Sequence, residues 1–268
     1  MEVIFYTFMF CLGTLFGSFS TLAVYRIPLH QDITHKRSYC PNCKHKLSFW
    51  DMIPILSYVF LGGKCRYCGK KIKMRYLLLE VFTGLIFLLF AVSLNLSMYT
   101  LTINQIVYLI ISILYLVGII IIAGIDKERI IIQKGLLLYE TILISICIVY
   151  LCIVENTNIY RYAIYLLALA ILVALENIYI KKTKKDNYTL QILELSIIMI
   201  LFGGGKTYVL TTILTLIIII IKGIKNLIKK NNKCNEKNNE LYYNKFPIGF
   251  YLICCNIISI IILNFVSI

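Results

Sequence analysis

The chain has 268 residues, 60% of them hydrophobic and only 15% charged, with a formal charge of +14. Apolar runs near twenty residues recur along it, which excludes a soluble core as the organising unit and points to a polytopic membrane protein. The basic residues border those runs, so the charge follows the positive-inside bias and attraction to anionic lipid rather than nucleic-acid binding.

The first apolar run, residues 3–25, begins after Glu2 and has no small-residue cleavage site before Arg26. It reads as a retained span, not a signal peptide. Further spans are expected over residues 76–94, 104–125, 135–154, 162–180, 188–202, 207–221 and 246–266, giving an all-α membrane protein with about eight helices. The stretch 188–221 is divided because Gly203, Gly204 and Gly205 favour a turn over helix continuation.

With that turn, the loops 26–75, 126–134, 181–186 and 222–245 share one face. They collect all of the 27 Lys and Arg residues except Arg161 and Lys206. That face is assigned to the cytoplasm, which places the protein as a multi-pass component of the cytoplasmic (inner) membrane. Without the turn, the lysine-rich loop after Ile221 would land on the opposite side. The Lys/Asn-rich stretch 225–244 reads as a flexible connector with a short interfacial helix at its start. The expected organisation is a first span (1–25), a cytoplasmic loop domain (26–75) and a helical membrane domain (76–268).

The loop domain carries Cys40-Pro41-Asn42-Cys43 and Cys65-Arg66-Tyr67-Cys68. Two Cys-x-x-Cys pairs at this separation have zinc-ribbon spacing, each pair aiming two thiolates at one tetrahedral ion. Lys44, Lys46, Lys64, Arg66 and Lys70 help offset the thiolate charge. Four sulfur ligands leave no open position, so the zinc would be structural. His45, two residues past Cys43, is read as a surface residue because the shell is already complete. A cytoplasmic loop also disfavours disulfides.

Gly17-Ser18-Phe19, Tyr25-Arg26-Ile27-Pro28, Arg37-Ser38-Tyr39-Cys40-Pro41-Asn42-Cys43, Asp51-Met52-Ile53-Pro54-Ile55-Leu56-Ser57, the second cysteine pair and Arg75-Tyr76-Leu77-Leu78-Leu79-Glu80 follow one another along the chain. In order and spacing they resemble the amino-terminal signature of the type IV prepilin peptidase family. The likeness is dense from Gly17 to about Gly84. Beyond that it thins to the helix layout and to Phe246-Pro247-Ile248-Gly249-Phe250, which is similar to the start of the family's last helix. The resemblance implies an aspartic endopeptidase that removes the basic leader of type IV prepilins or pseudopilins at the cytoplasmic face. It also implies methyl transfer from S-adenosylmethionine to the new amino terminus, and a substrate- or methyl-donor-binding role for Glu80.

An aspartic protease needs two carboxyl groups close enough for one to stay protonated while the other activates water. Asp126, ending the third span, stands where the family's first catalytic aspartate does. The turn after it reads Ile132-Gln133-Lys134 instead of an Ile-Pro-Asp type, and the Gly-x-Gly-Asp motif of the second aspartate is absent. Gly203-Gly204-Gly205-Lys206 is not that motif, because it lies at the far end of a helix about 20 Å long. Counting back from the glycines puts the missing motif between Asp186 and Glu194. Asp186 is the expected partner of Asp126, with Glu194 the fallback, eight residues further on and about 12 Å deeper. Three readings stay open: a peptidase, a protein that retains docking and methyl transfer only, and a non-enzymatic membrane scaffold for pilin-like proteins.

Overall fold

The computed structural model describes residues 2–34, 37–96, 101–154, 159–184, 186–231 and 246–266. They form α1 (Glu2–Arg26), α2 (Leu56–Phe60), α3 (Arg75–Ser93), α4 (Ile103–Arg129), α5 (Lys134–Val154), α6 (Ile159–Thr183), α7 (Tyr188–Asn231) and α8 (Ile248–Val266), with short 3-10 turns at Ile27–Leu29 and Trp50–Met52. Seven of these helices are long and apolar enough to cross a membrane. The expected connector lies, from residue 232 to 245, outside the described residues.

The chain divides into two compact units. One takes in the residues up to Gly124 together with the chain from Asn264, and the other runs from Ile125 to Leu263.

In the first unit α1 packs along α3 through small residues. A Cβ on Gly13 would stand 2.7 Å from the Thr83 carbonyl oxygen, and one on Gly17 would stand 2.8 Å from the Glu80 Cα. Any side chain at either position would push the helices apart, the close-approach rule for helices that gain nothing from burying apolar surface in lipid. Arg26 ends α1 almost fully buried. Its guanidinium donates to the carbonyls of Asp32 (2.9 Å) and Arg37 (3.2 Å), which fixes how the loop leaves the helix. Thr102 and Gln105 form a reciprocal capping box at the start of α4, each side chain taking the other's backbone N–H.

In the second unit the decisive feature is Gly204, whose φ of 80° and ψ of 170° break α7. A continuous helix would separate Tyr188 from Lys222 by about 51 Å. Instead both touch the first turn of α8. The Gly249 N–H donates to the Tyr188 hydroxyl at 3.3 Å, and the Lys222 ammonium reaches the Tyr251 hydroxyl and stands 3.9 Å from that ring's centroid. The chain therefore doubles back at Gly204, as the glycine triplet implied, and one of the seven long helices supplies two apolar passes. Asn256, two turns further along α8, donates to Thr211 at 3.4 Å, which keeps the returning arm in register.

Candidate functional site

Each cysteine pair sits in a knuckle with the same backbone pattern. Cys40 N–H donates to the His45 carbonyl (3.0 Å) and Lys44 N–H to that of Cys40 (2.8 Å). Cys65 N–H likewise donates to Lys70 (2.9 Å), and Gly69 N–H to Cys65 (2.9 Å). Lys44 and Gly69, the matching residues, both take positive φ, 56° and 68°. The repeated turn brings all four sulfurs within 4.8 Å of one another. Cys40 and Cys68 Sγ lie 3.9 Å apart, close to the roughly 3.8 Å edge of a tetrahedron with 2.3 Å zinc–sulfur bonds.

The Asn42 amide donates to Cys68 Sγ at 3.6 Å and accepts from Lys70 at 2.6 Å, so the knuckles are laced together outside the sulfur shell. The Lys70 N–H and the Asn42 amide pull the Cys68 thiol down to about 6. The His45 N–H favours the Cys43 thiolate, but burial and the neighbouring thiols push this group up to about 11. Four sulfurs this close resist joint ionisation unless a cation sits among them, so the donor set suits zinc. His45 is exposed and stacks on Tyr67 with ring centroids 3.6 Å apart, outside the sulfur cluster.

Asp51 ties the second knuckle to the preceding segment. Its carboxylate takes the Arg66 guanidinium at 2.7 Å, the Ser48 hydroxyl at 2.7 Å and the Tyr67 hydroxyl at 3.3 Å. Burial alone would raise this carboxyl, but the Ser48 and Arg66 hydrogen bonds outweigh it and hold the group below the usual range.

Asp126, near the end of α4, is fully buried. Its Oδ1 accepts from the Tyr188 hydroxyl at 2.8 Å and its Oδ2 from the Phe250 N–H at 2.7 Å. That N–H is one of the donors a helix start leaves free, so the carboxylate caps α8 and meets the positive end of its dipole. A Cβ on Gly249 would lie 3.0 Å from Oδ2, so the approach depends on glycine there. Asn187 in turn caps α7, its side chain accepting from the Thr189 N–H at 3.1 Å. Tyr188 thus becomes the first helical residue, aimed into the bundle, while Asp186 stays outside.

The expected carboxyl partners stand elsewhere. Asp186 is exposed and makes no hydrogen bond to Asp126 among the described residues. Glu194 is buried against Glu176. Glu176 also accepts from Gln191 at 3.0 Å and pairs with Lys134 at 3.3 Å. Glu80 accepts the Ile55 N–H at 2.9 Å. Tyr188 is the residue that sequence reasoning missed. It falls inside the window 186–194 assigned to the absent motif, but a search for carboxylates passes over a phenol.

Residues 11–94 match the family model for the Bacterial Peptidase A24 N-terminal domain. The chain is 45% identical over 84 residues to a prepilin leader peptidase/N-methyltransferase of Myxococcus xanthus, covering 31% of this chain and 25% of the relative. It is 43% identical over 79 residues to the protein of that name from Bacillus subtilis (30% and 32%), and 37% identical over 89 residues to that of Vibrio cholerae (30% and 35%). The match thus spans a quarter to about a third of each relative's length. No solved structure matches. Through its amino-terminal third, with the paired cysteine knuckles set between α1 and α3, this chain is similar to the bacterial prepilin leader peptidase/N-methyltransferases.

Proposed function

We propose that the protein is a membrane aspartic endopeptidase that removes the leader of type IV prepilins or pseudopilins at the cytoplasmic face and N-methylates the product. The observation that carries this reading is the match of residues 11–94 to relatives bearing that name. The four cysteines would hold a zinc ion that fixes the loop. S-adenosylmethionine would supply the methyl group. Asp126 is the first acid, and Asp186 is its partner in the reacting state. Asp186 lies two residues before Tyr188, so a shift of the chain entering α7 exchanges phenol for carboxyl and leaves room for water between two acids. Those acids then divide the work, one ionised to take the water's proton and one protonated to donate to the scissile carbonyl.

The capped state of Asp126 favours a second reading, in which the protein docks prepilins or methylates them without cleaving. A carboxylate engaged by a phenol and a helix N-terminus already has a structural task. Incubation of the reconstituted protein with a prepilin decides between them. Leader removal that is abolished by Asp126→Asn and by Asp186→Asn establishes the peptidase. No leader removal by the wild type, with methylation of a pre-cleaved pilin from labelled S-adenosylmethionine, establishes the second reading.

A further inference from the structure

The segment between the two knuckles exposes an apolar face that the functional reading does not use. Phe49, Trp50, Leu56, Val59 and Phe60 are 73%, 70%, 52%, 62% and 83% exposed. Leu56, Val59 and Phe60 stand at helical spacing i, i+3, i+4 and so form one side of α2. The other side is anchored, since the Tyr58 hydroxyl donates to the Ile72 carbonyl at 3.4 Å. The outward set is therefore presented by a fixed turn.

Where that face lies follows from α3. The Ile55 N–H, one residue before α2, is held by Glu80 Oε2 at 2.9 Å. Glu80 is five residues into α3, about 7.5 Å past its start. With 19 residues, α3 is about 28 Å long, barely the thickness of a hydrocarbon core, so its whole length is needed to span. The tether thus draws the segment down to the level where the span enters the bilayer. Ile55 takes a φ of 62°, an unfavourable conformation for a β-branched residue, so the backbone is held there against its preference. Around it the loop is basic: Lys64, Lys70, Lys71, Lys73 and Arg75 face only Asp51 as a neighbouring acid from residue 37 to 75.

We propose that residues 49–60 are an interfacial membrane anchor. The aromatic and aliphatic face inserts at the boundary of head groups and acyl chains, and the lysines engage anionic lipid. An indole at the interface flanked by cations is the combination such a surface favours. The anchor pins the cysteine knuckles against the leaflet whether or not the chain cleaves anything.

Trp50 is the chain's one tryptophan, so its fluorescence reports this face alone. The full-length protein is placed in nanodiscs of phosphatidylcholine and phosphatidylglycerol, with acyl chains brominated near the head group or left plain. Bromine should cut Trp50 emission about two-fold or more, and aqueous acrylamide should quench it weakly. Paired Val59→Asp and Phe60→Asp substitutions should reduce the bromine effect while circular dichroism stays unchanged. Emission indifferent to bromine but readily quenched by acrylamide would overturn the proposal. So would a Trp50 signal that ignores lipid and moves only when a prepilin leader peptide is added, which would make the face a protein-docking site. Should the paired variant fail to fold, the wild-type quenching still decides.

Discussion

The Tyr188 hydroxyl donates to Asp126 Oδ1 at 2.8 Å, so the acid at the end of α4 faces a phenol and a helix start where a second acid was expected. Removing the carboxyl strands two half-buried donors. Asp126→Ala should destabilise the protein by about 1–3 kcal/mol, the cost of leaving such groups unpaired. Tyr188→Phe loses one hydrogen bond to an acid and should cost about 1–2 kcal/mol. Thermal unfolding in detergent reads both. A melting point unmoved by Asp126→Ala would show that the carboxylate does not cap α8.

Gly249→Ala tests the same contact from the opposite side. The added methyl would meet Asp126 Oδ2 at 3.0 Å and Ile132 Cδ1 at 3.5 Å, and moving either disturbs the cap. A loss of about 1–3 kcal/mol is expected, the usual range for overpacking a filled site. Gly135→Ala is the control, because a Cβ there meets nothing within 4 Å. Equal melting points for the two variants would contradict the packing.

Metal analysis of purified protein should find about one zinc per chain. Chelation should lower the melting point of the wild type, and Cys40→Ser should lower it without a chelator, because a structural ion contributes to folding directly. Zinc-free protein whose four cysteines are reduced and whose melting point ignores chelator would remove the metal from the account.

The cysteine knuckles and the reversal at Gly204 were legible because both are local. Two-residue spacing fixes where paired thiolates point, and three successive glycines weaken a helix wherever they fall. The partner of Asp126 was not legible, because it depends on how α7 and α8 are capped and aligned. Asn187 decides that Tyr188 rather than Asp186 turns inward, a two-residue difference that composition and charge cannot resolve. The start of the last helix was visible in Phe246–Phe250, but nothing in that motif says which side chain receives its free N–H groups.

Asp51 gives a pH dependence with a definite sign. Its folded carboxyl lies below the ordinary value, so its stabilisation is present above the unfolded value of about 4 and fades as pH falls through the folded one. Asp51→Asn should therefore melt below the wild type at neutral pH, and the gap should close in acid. Because the thiolates of the knuckles also protonate there, the comparison is made between the two proteins at each pH. A gap that persists undiminished well below pH 4 would assign the effect to shape rather than charge.

The Glu176–Glu194 contact bears on the fallback acid. The Glu194 carboxyl is buried beside Glu176, and its Oε1 has no hydrogen-bond partner among the described residues. Lys134 and Gln191 engage Glu176, leaving Glu194 the less supported member. Glu194→Gln keeps the side chain's shape, removes an acid from beside Glu176 and supplies an amide donor, so it should leave the melting point unchanged or raised. Glu176→Gln deprives Lys134 of its counter-charge. That ammonium is partly exposed, so the cost should be about 1–3 kcal/mol, below that of a fully buried pair. If Glu194 were instead the second acid of the peptidase, Glu194→Gln would abolish leader removal while Asp186→Asn left it intact. The contacts of Glu194 lead us to expect the reverse, and one prepilin assay on the two variants measures it.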